Sequence, residues 1–151
     1  MMRPADLEIG GHEDPYMRRW YVIPRNRIFC VYLHNMLRDD DDRALHDHPG
    51  ANISIVLRGG YREIVFNRRP REGQVLPATM TLIRKPGAMV FRRAKLAHRL
   101  ELLDPRGSWS LFLVGPKLRD WGFWCGITAR WVPWRQFTTG EKGELVGKGC
   151  S

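Results

Sequence analysis

From Trp20 onward the sequence is a succession of short runs rich in β-branched and aromatic residues, each closed by turn formers. This punctuation narrows the possible folds more than any other feature. RWYVI is followed by Pro24-Arg25-Asn26, RIFCVYLHNML by the acidic run Asp39–Asp42, and NISIVL by Gly59-Gly60. YREIVF then leads into the loop Arg69-Pro70-Arg71-Glu72-Gly73, ATMTLI into Pro86-Gly87, and AHRLELL into Asp104-Pro105-Arg106-Gly107, before SWSLFLV. Many short strands at regular spacing predict an all-β sandwich or barrel rather than βαβ units. No internal repeat or linker divides the chain. Residues 1–16 read as a polar lead-in, residues 1–137 as one domain, and the glycine-rich tail 138–151 as disordered.

Composition adds limits. A chain of 151 residues with 43% hydrophobic and 27% charged residues can bury one core. The start MMRPADLEIG has no apolar h-region and no run is long enough to span a bilayer, so a cytoplasmic location is the expectation and no membrane is a partner. The three cysteines, Cys30, Cys125 and Cys150, are odd in number and widely spaced. That reads as buried thiols and one tail cysteine, not a disulfide framework or a cysteine zinc site. The net charge of +9 favours an anionic partner. Its arginines do not form one block and no nucleic-acid-binding signature accompanies them, which weighs against nucleic acid. The aromatic stretch from Trp121 to Phe137 reads as closure of one end of the barrel.

The segment Leu45-His46-Asp47-His48-Pro49 carries the chemistry. Alternate residues of a strand share a face, so His46 and His48 project together, about 7 Å apart along the strand, with Asp47 pointing away. In Ala97-His98-Arg99-Leu100-Glu101-Leu102, the same alternation puts His98 on the interior face with Leu100 and Leu102. Three imidazoles on inward faces make a metal-ligand set.

These residues resemble the two motifs of the cupin superfamily, G(x)5HxH(x)3-4E(x)6G and G(x)5PxG(x)2H(x)3N. Asp40 stands at the first glycine position, His46 and His48 at HxH, Gly59 or Gly60 at the closing glycine, Gly87 at the second opening glycine and His98 at its histidine. The motif glutamate falls on Asn52 or Ile53; Asn52 offers only a weak carbonyl oxygen, and Glu63 is the nearest carboxylate on a neighbouring strand. Arg93 and Lys95 replace proline and glycine, and Leu102 the asparagine. The chain is also similar in part to the thiol dioxygenases, which bind iron with three histidines. Ser110, Phe112 and Val114, however, stand where that family has its Ser-x-His-x-Tyr set. Finally, HDHP, GGYxE and a Gly-Pro…Trp-Gly-Phe ending resemble a group of small bacterial and phage-associated cupins.

The resemblance implies a double-stranded β-helix, or jelly-roll barrel, with few short helices and a motif core over residues 40–102. It implies one divalent metal on His46, His48 and His98: Fe(II) is favoured, with Ni, Mn, Co or Zn as alternatives. Candidate catalytic residues are Glu63, as ligand or as support for a ligand histidine, His34 as a base near the metal, and Tyr61 as a mouth-lining acid. Arg27, Arg62 and Arg92 are candidates to hold a small anionic substrate. The reading is a metal-dependent enzyme, dioxygenase-like or isomerase-like, and a homodimer is expected. The alternative is a non-catalytic cupin that binds a small ligand or serves as an assembly module.

Overall fold

The computed structural model describes residues 3–40, 44–141 and 143–151; positions 41 and 42 of the acidic run lie outside them. Among the described residues there are fourteen strands and one helical turn. The strands are β1 (Leu7–Ile9), β2 (Met17–Tyr21), β3 (Cys30–Met36), β4 (Leu45–His46), β5 (Asn52–Arg58), β6 (Tyr61–Phe66) and β7 (Thr79–Arg84). They continue with β8 (Met89–Arg92), β9 (His98–Leu102), β10 (Ser108–Val114), β11 (Gly122–Cys125), β12 (Arg130–Pro133), α1 (Trp134–Phe137), β13 (Thr138–Thr139) and β14 (Leu145–Val146). Two six-stranded antiparallel sheets result, in the orders β1-β2-β3-β10-β5-β8 and β12-β11-β4-β9-β6-β7. The expected all-β jelly roll is what the chain forms.

The alternation that marks the strands also sets the interior. Along β5, Asn52, Ser54 and Val56 are buried while Ile53 and Ile55 are partly exposed. The two sheets meet where Met36 and Val56 of the first pack on Tyr61, Leu100 and Leu102 of the second. The chain crosses between sheets at Gly59-Gly60, both at positive φ. A Cβ on Gly59 would lie 2.2 Å from the Gly107 carbonyl oxygen, so only glycine fits that corner.

Three local expectations are corrected. The lead-in contributes β1, which pairs Leu7–Ile9 with Met17–Arg19. The tail forms the β13–β14 hairpin, and the Gly10 amide bonds to the Glu144 carbonyl. Cys125 and Cys150 are joined as a disulfide, leaving Cys30 as the free cysteine. Sequence spacing carried no trace of this pairing because it depends on the tail folding back onto β11. The disulfide lies in a cluster with Phe123, Val132 and Phe137, flanked by Trp121 and Trp134. Phe123 stacks on Phe137 and Trp121 on Trp134, so the aromatic stretch is a packed core. No helix among the described residues is long and apolar enough to cross a membrane.

Candidate metal centre

β4 is only two residues long, yet it sits at the centre of the second sheet, between β9 and β11. His46 is directly opposite both His98 and Phe123. That register puts His46 and His98 side by side on the inner face, with ring centroids 4.9 Å apart. His48 follows where the strand ends, 5.2 Å from His46 and 5.1 Å from His98. One ligand nitrogen from each ring lies within 4.8 Å of the others.

The approach of β4 is fixed from outside by Asp47, which points away from its neighbours as alternation requires. Its buried carboxylate accepts hydrogen bonds from the Gly122 amide at 2.9 Å and Trp131 Nε1 at 3.1 Å. Arg119 bridges the same carboxylate at 2.9 Å and the His48 carbonyl at 3.0 Å. Four polar contacts therefore hold the His-Asp-His turn against β11, β12 and Arg119.

Glu63 of β6 settles the orientation of His98. It is 1% exposed, and its Oε1 faces His98 Nδ1 at 2.8 Å. Arg92 Nε donates to the same oxygen, and Arg84 Nε donates to Oε2 at 2.8 Å. Both oxygens are engaged, so Glu63 reaches the centre through His98 instead of joining the three nitrogens. Burial pushes its pKa up, but the His98 and Arg92 hydrogen bonds and charges outweigh this and hold the carboxyl well below the usual range. With the Nδ1 proton of His98 directed at Glu63, the lone pair on Nε2 points inward, 2.9 Å from His48 Nε2. Nδ1 of His46 lies 3.3 Å from an Asp40 oxygen, an analogous arrangement at the motif's glycine position.

The donor set fits a divalent ion. Two ligands at right angles, each about 2.1 Å from a metal, would be about 3.0 Å apart, close to the observed His48–His98 spacing of 2.9 Å. Burial, helped by neighbouring positive groups, lowers the pKa of His48 well below its ordinary value and that of His98 to about 3. Both rings are therefore neutral, the state that ligates. Three imidazoles would leave about half of an octahedral shell for other ligands.

The remaining candidates are placed differently. Arg92 is buried and fully engaged: besides Glu63 it donates to Ser54 Oγ at 2.8 Å, Tyr61 Oη at 3.1 Å and Asn52 Oδ1 at 3.4 Å. Asn52 and Tyr61 thus belong to the support of Arg92, and the Asn52 carbonyl is turned to the guanidinium. Arg62 is exposed, opposite Glu101 and Ile83 on the outer face, and Arg27 is exposed in a loop; neither meets the histidines. His34 does face the interior, buried and stacked on Phe112 at 5.1 Å, and Phe112 in turn lies 5.8 Å from His48. Its Nε2 accepts a hydrogen bond from Arg19 Nε at 2.9 Å. Arg19 was not singled out by sequence reasoning. Its guanidinium lies 4.6 Å over the Tyr32 ring, and among the described residues no carboxylate pairs with it. Burial lowers its pKa and raises that of Tyr32 to about 12.

No protein-family model and no curated protein sequence matches the chain. Among solved structures, hydroxypropylphosphonic acid epoxidase from S. wedmorenis superposes with a TM-score of 0.51 at 17% identity, over 76% of this chain and 58% of the other. HppE in its FeII form gives 0.54 at 18% identity, over 72% and 54%. A Bacillus subtilis oxalate decarboxylase variant gives 0.51 at 19%, over 76% and 27%. The chain thus spans just over half the length of the epoxidase and about a quarter of the decarboxylase. Identity this low speaks to architecture alone, and on that architecture the chain has the cupin fold.

Proposed function

We propose that this cupin is a metal-dependent enzyme that holds one divalent ion, Fe(II) favoured, on His46, His48 and His98 and acts on a small anionic molecule. The observation that carries the reading is the convergence of three imidazoles, with two of their outer nitrogens facing carboxylates. HppE with FeII, and oxalate decarboxylase, whose substrate is a small anion, support the metal and the substrate class. A bound ion would supply Lewis acidity or oxygen chemistry; dioxygenase-like and isomerase-like reactions both suit a half-open shell.

The chain's own residues divide the remaining work. Glu63 and Asp40 hold the ligand rings, and Asp47 holds the turn that carries two of them. Arg19 replaces Arg27, Arg62 and Arg92 as the candidate substrate anchor, because a partly buried cation without an acidic partner is an anion site in waiting. His34, neutral because burial and Arg19 lower its pKa, stands between that arginine and Phe112; its accepting Nε2 is taken up by Arg19, so it positions the arginine instead of serving as a base. Tyr61 remains a candidate acid only through its bond to Arg92.

Elemental analysis of untagged protein beside a His46→Ala/His48→Ala variant tests the reading. Near-stoichiometric iron, or another divalent metal, lost in the variant is the expected result. Absence of metal in both after reconstitution would leave the non-catalytic, ligand-binding cupin.

A further inference from the structure

The loop joining β6 to β7 stands on the side of the second sheet opposite the histidines. Along β11, Phe123 faces His46, so its neighbour Trp124 points outward. There Trp124 packs with Phe66 on Leu45, Ile64 and Ala97. Backbone hydrogen bonds tie the loop to the β11–β12 turn: the Gly73 amide donates to the Ala129 carbonyl, Ala129 to Gln74 and Leu76 to Ile127. Pro70 and Pro77 of the loop are buried. Between loop and indole lies a cavity of about 630 Å³, whose walls include Arg68, Arg69, Arg71, Gln74, Val75 and Trp124. The three arginines are exposed, and among the described residues none of them forms an ion pair, not even with Glu72 on the same wall. Trp124 Nε1 is buried with no hydrogen-bond partner among the described residues, so the indole offers the cavity ring surface and not its N–H.

We propose that this cavity binds a nucleoside monophosphate, with the base against the Trp124 ring and the phosphate on the arginines. Arg68, Arg69 and Arg71 crowd one short stretch of loop with no carboxylate to neutralise them. Guanidiniums so placed match a doubly charged group with three acceptor oxygens, and a single carboxylate would leave most of their donors unused. An indole that gives up its hydrogen bond and shows its ring instead offers stacking, which every nucleobase accepts. The volume lies within the range of small-molecule sites and suits one nucleotide better than a strand. Because the loop is tied to its neighbours, binding would leave little backbone still to be ordered. The second sheet separates this cavity from the three histidines, so the two sites can be filled independently.

Calorimetric titration of the full chain with adenosine monophosphate tests this, beside phenyl phosphate and inorganic phosphate. The nucleotide should bind with a dissociation constant on the order of 10–100 μM, and the other two about tenfold more weakly. Arg68→Ala/Arg71→Ala should weaken the nucleotide about tenfold or more. Arg27→Ala/Arg62→Ala removes equal charge elsewhere and should leave its affinity unchanged. Trp124→Leu should weaken the nucleotide and spare inorganic phosphate. Trp124→Phe keeps a ring in the same packing, should retain most of the affinity, and serves if the leucine variant does not fold. His46→Ala/His48→Ala should bind the nucleotide as the unaltered chain does. Loss of binding in that histidine variant, with the arginine variant unaffected, would place the nucleotide at the metal centre and overturn the proposal. Absence of nucleotide binding, or phenyl phosphate binding equally well, overturns it too. Affinity for oligouridylates that keeps rising with length overturns it in favour of a strand-binding surface.

Discussion

Nδ1 of His98 donates to a carboxylate oxygen of Glu63 that Arg92 also holds, so the third imidazole is oriented by a buried ion pair between the two sheets. Glu63→Gln should therefore act twice. Removing the charge strands a guanidinium that is 1% exposed, which costs about 3–5 kcal/mol. Loosening the ring should weaken metal binding about 10- to 100-fold. Thermal denaturation and a chelator competition measure the two effects separately. If both are unchanged, the ion pair does not support the site.

Arg19→Met should separate function from stability. The substitution relieves burial of an unpaired cation but deprives His34 Nε2 of its donor, and these effects oppose each other, so the melting temperature should move little. Affinity for small anions such as oxalate or phosphate should fall on the order of tenfold to a hundredfold, the worth of a charged hydrogen bond. Calorimetric titration of both proteins would show it; equal affinities would remove Arg19 from the site.

Acid should destabilise the metal-free protein earlier than its carboxylates alone would predict. His34 and His48 have folded pKa values lowered well below 6.5, and His98 falls from 6.5 to about 3. The unfolded chain therefore binds protons first, and stability present above pH 6.5 is lost as the pH falls toward 3. Glu63, also lowered, adds to the loss below its ordinary 4.5. Melting temperatures measured from pH 8 to pH 4 should be flat at the top and decline from about 6.5. A profile flat to pH 5 would contradict neutral buried histidines.

The Cys125–Cys150 disulfide closes a separation of 25 residues and should contribute about 2–4 kcal/mol. Cys150→Ser, or reduction, should lower the denaturation midpoint accordingly. A free-thiol assay on the denatured protein should find one thiol without reductant and three with it. Three thiols in both samples would show that the pair is open, as a reducing compartment would keep it.

The convergence of the three candidate ligand histidines was legible because strand alternation is local: His46, His48 and His98 could be assigned a face without knowing which strands pair. Alternation would also have removed Arg62, since Tyr61 and Glu63 beside it face inward. Arg19 was invisible for the opposite reason. Its value depends on β2 lying against β3 so that it stands opposite His34, a partnership formed across 15 positions. The disulfide and the tail hairpin were missed similarly, because composition describes a segment alone and both arise where the tail meets the body. Asp40 stood in the sequence as a mismatch to a motif glycine; only the fold shows its carboxylate beside His46.

β4 and β9 share a single aligned pair, His46 opposite His98, and His48 and His98 are 50 positions apart in the chain. An ion bound there would be a removable cross-link between distant stretches of polypeptide. It would close a loop of about fifty residues whose entropy the bare chain must otherwise give up on folding. Chelation would then slacken the middle of the second sheet as well as silence its chemistry, and hydrogen exchange should report this first at the two-residue strand β4.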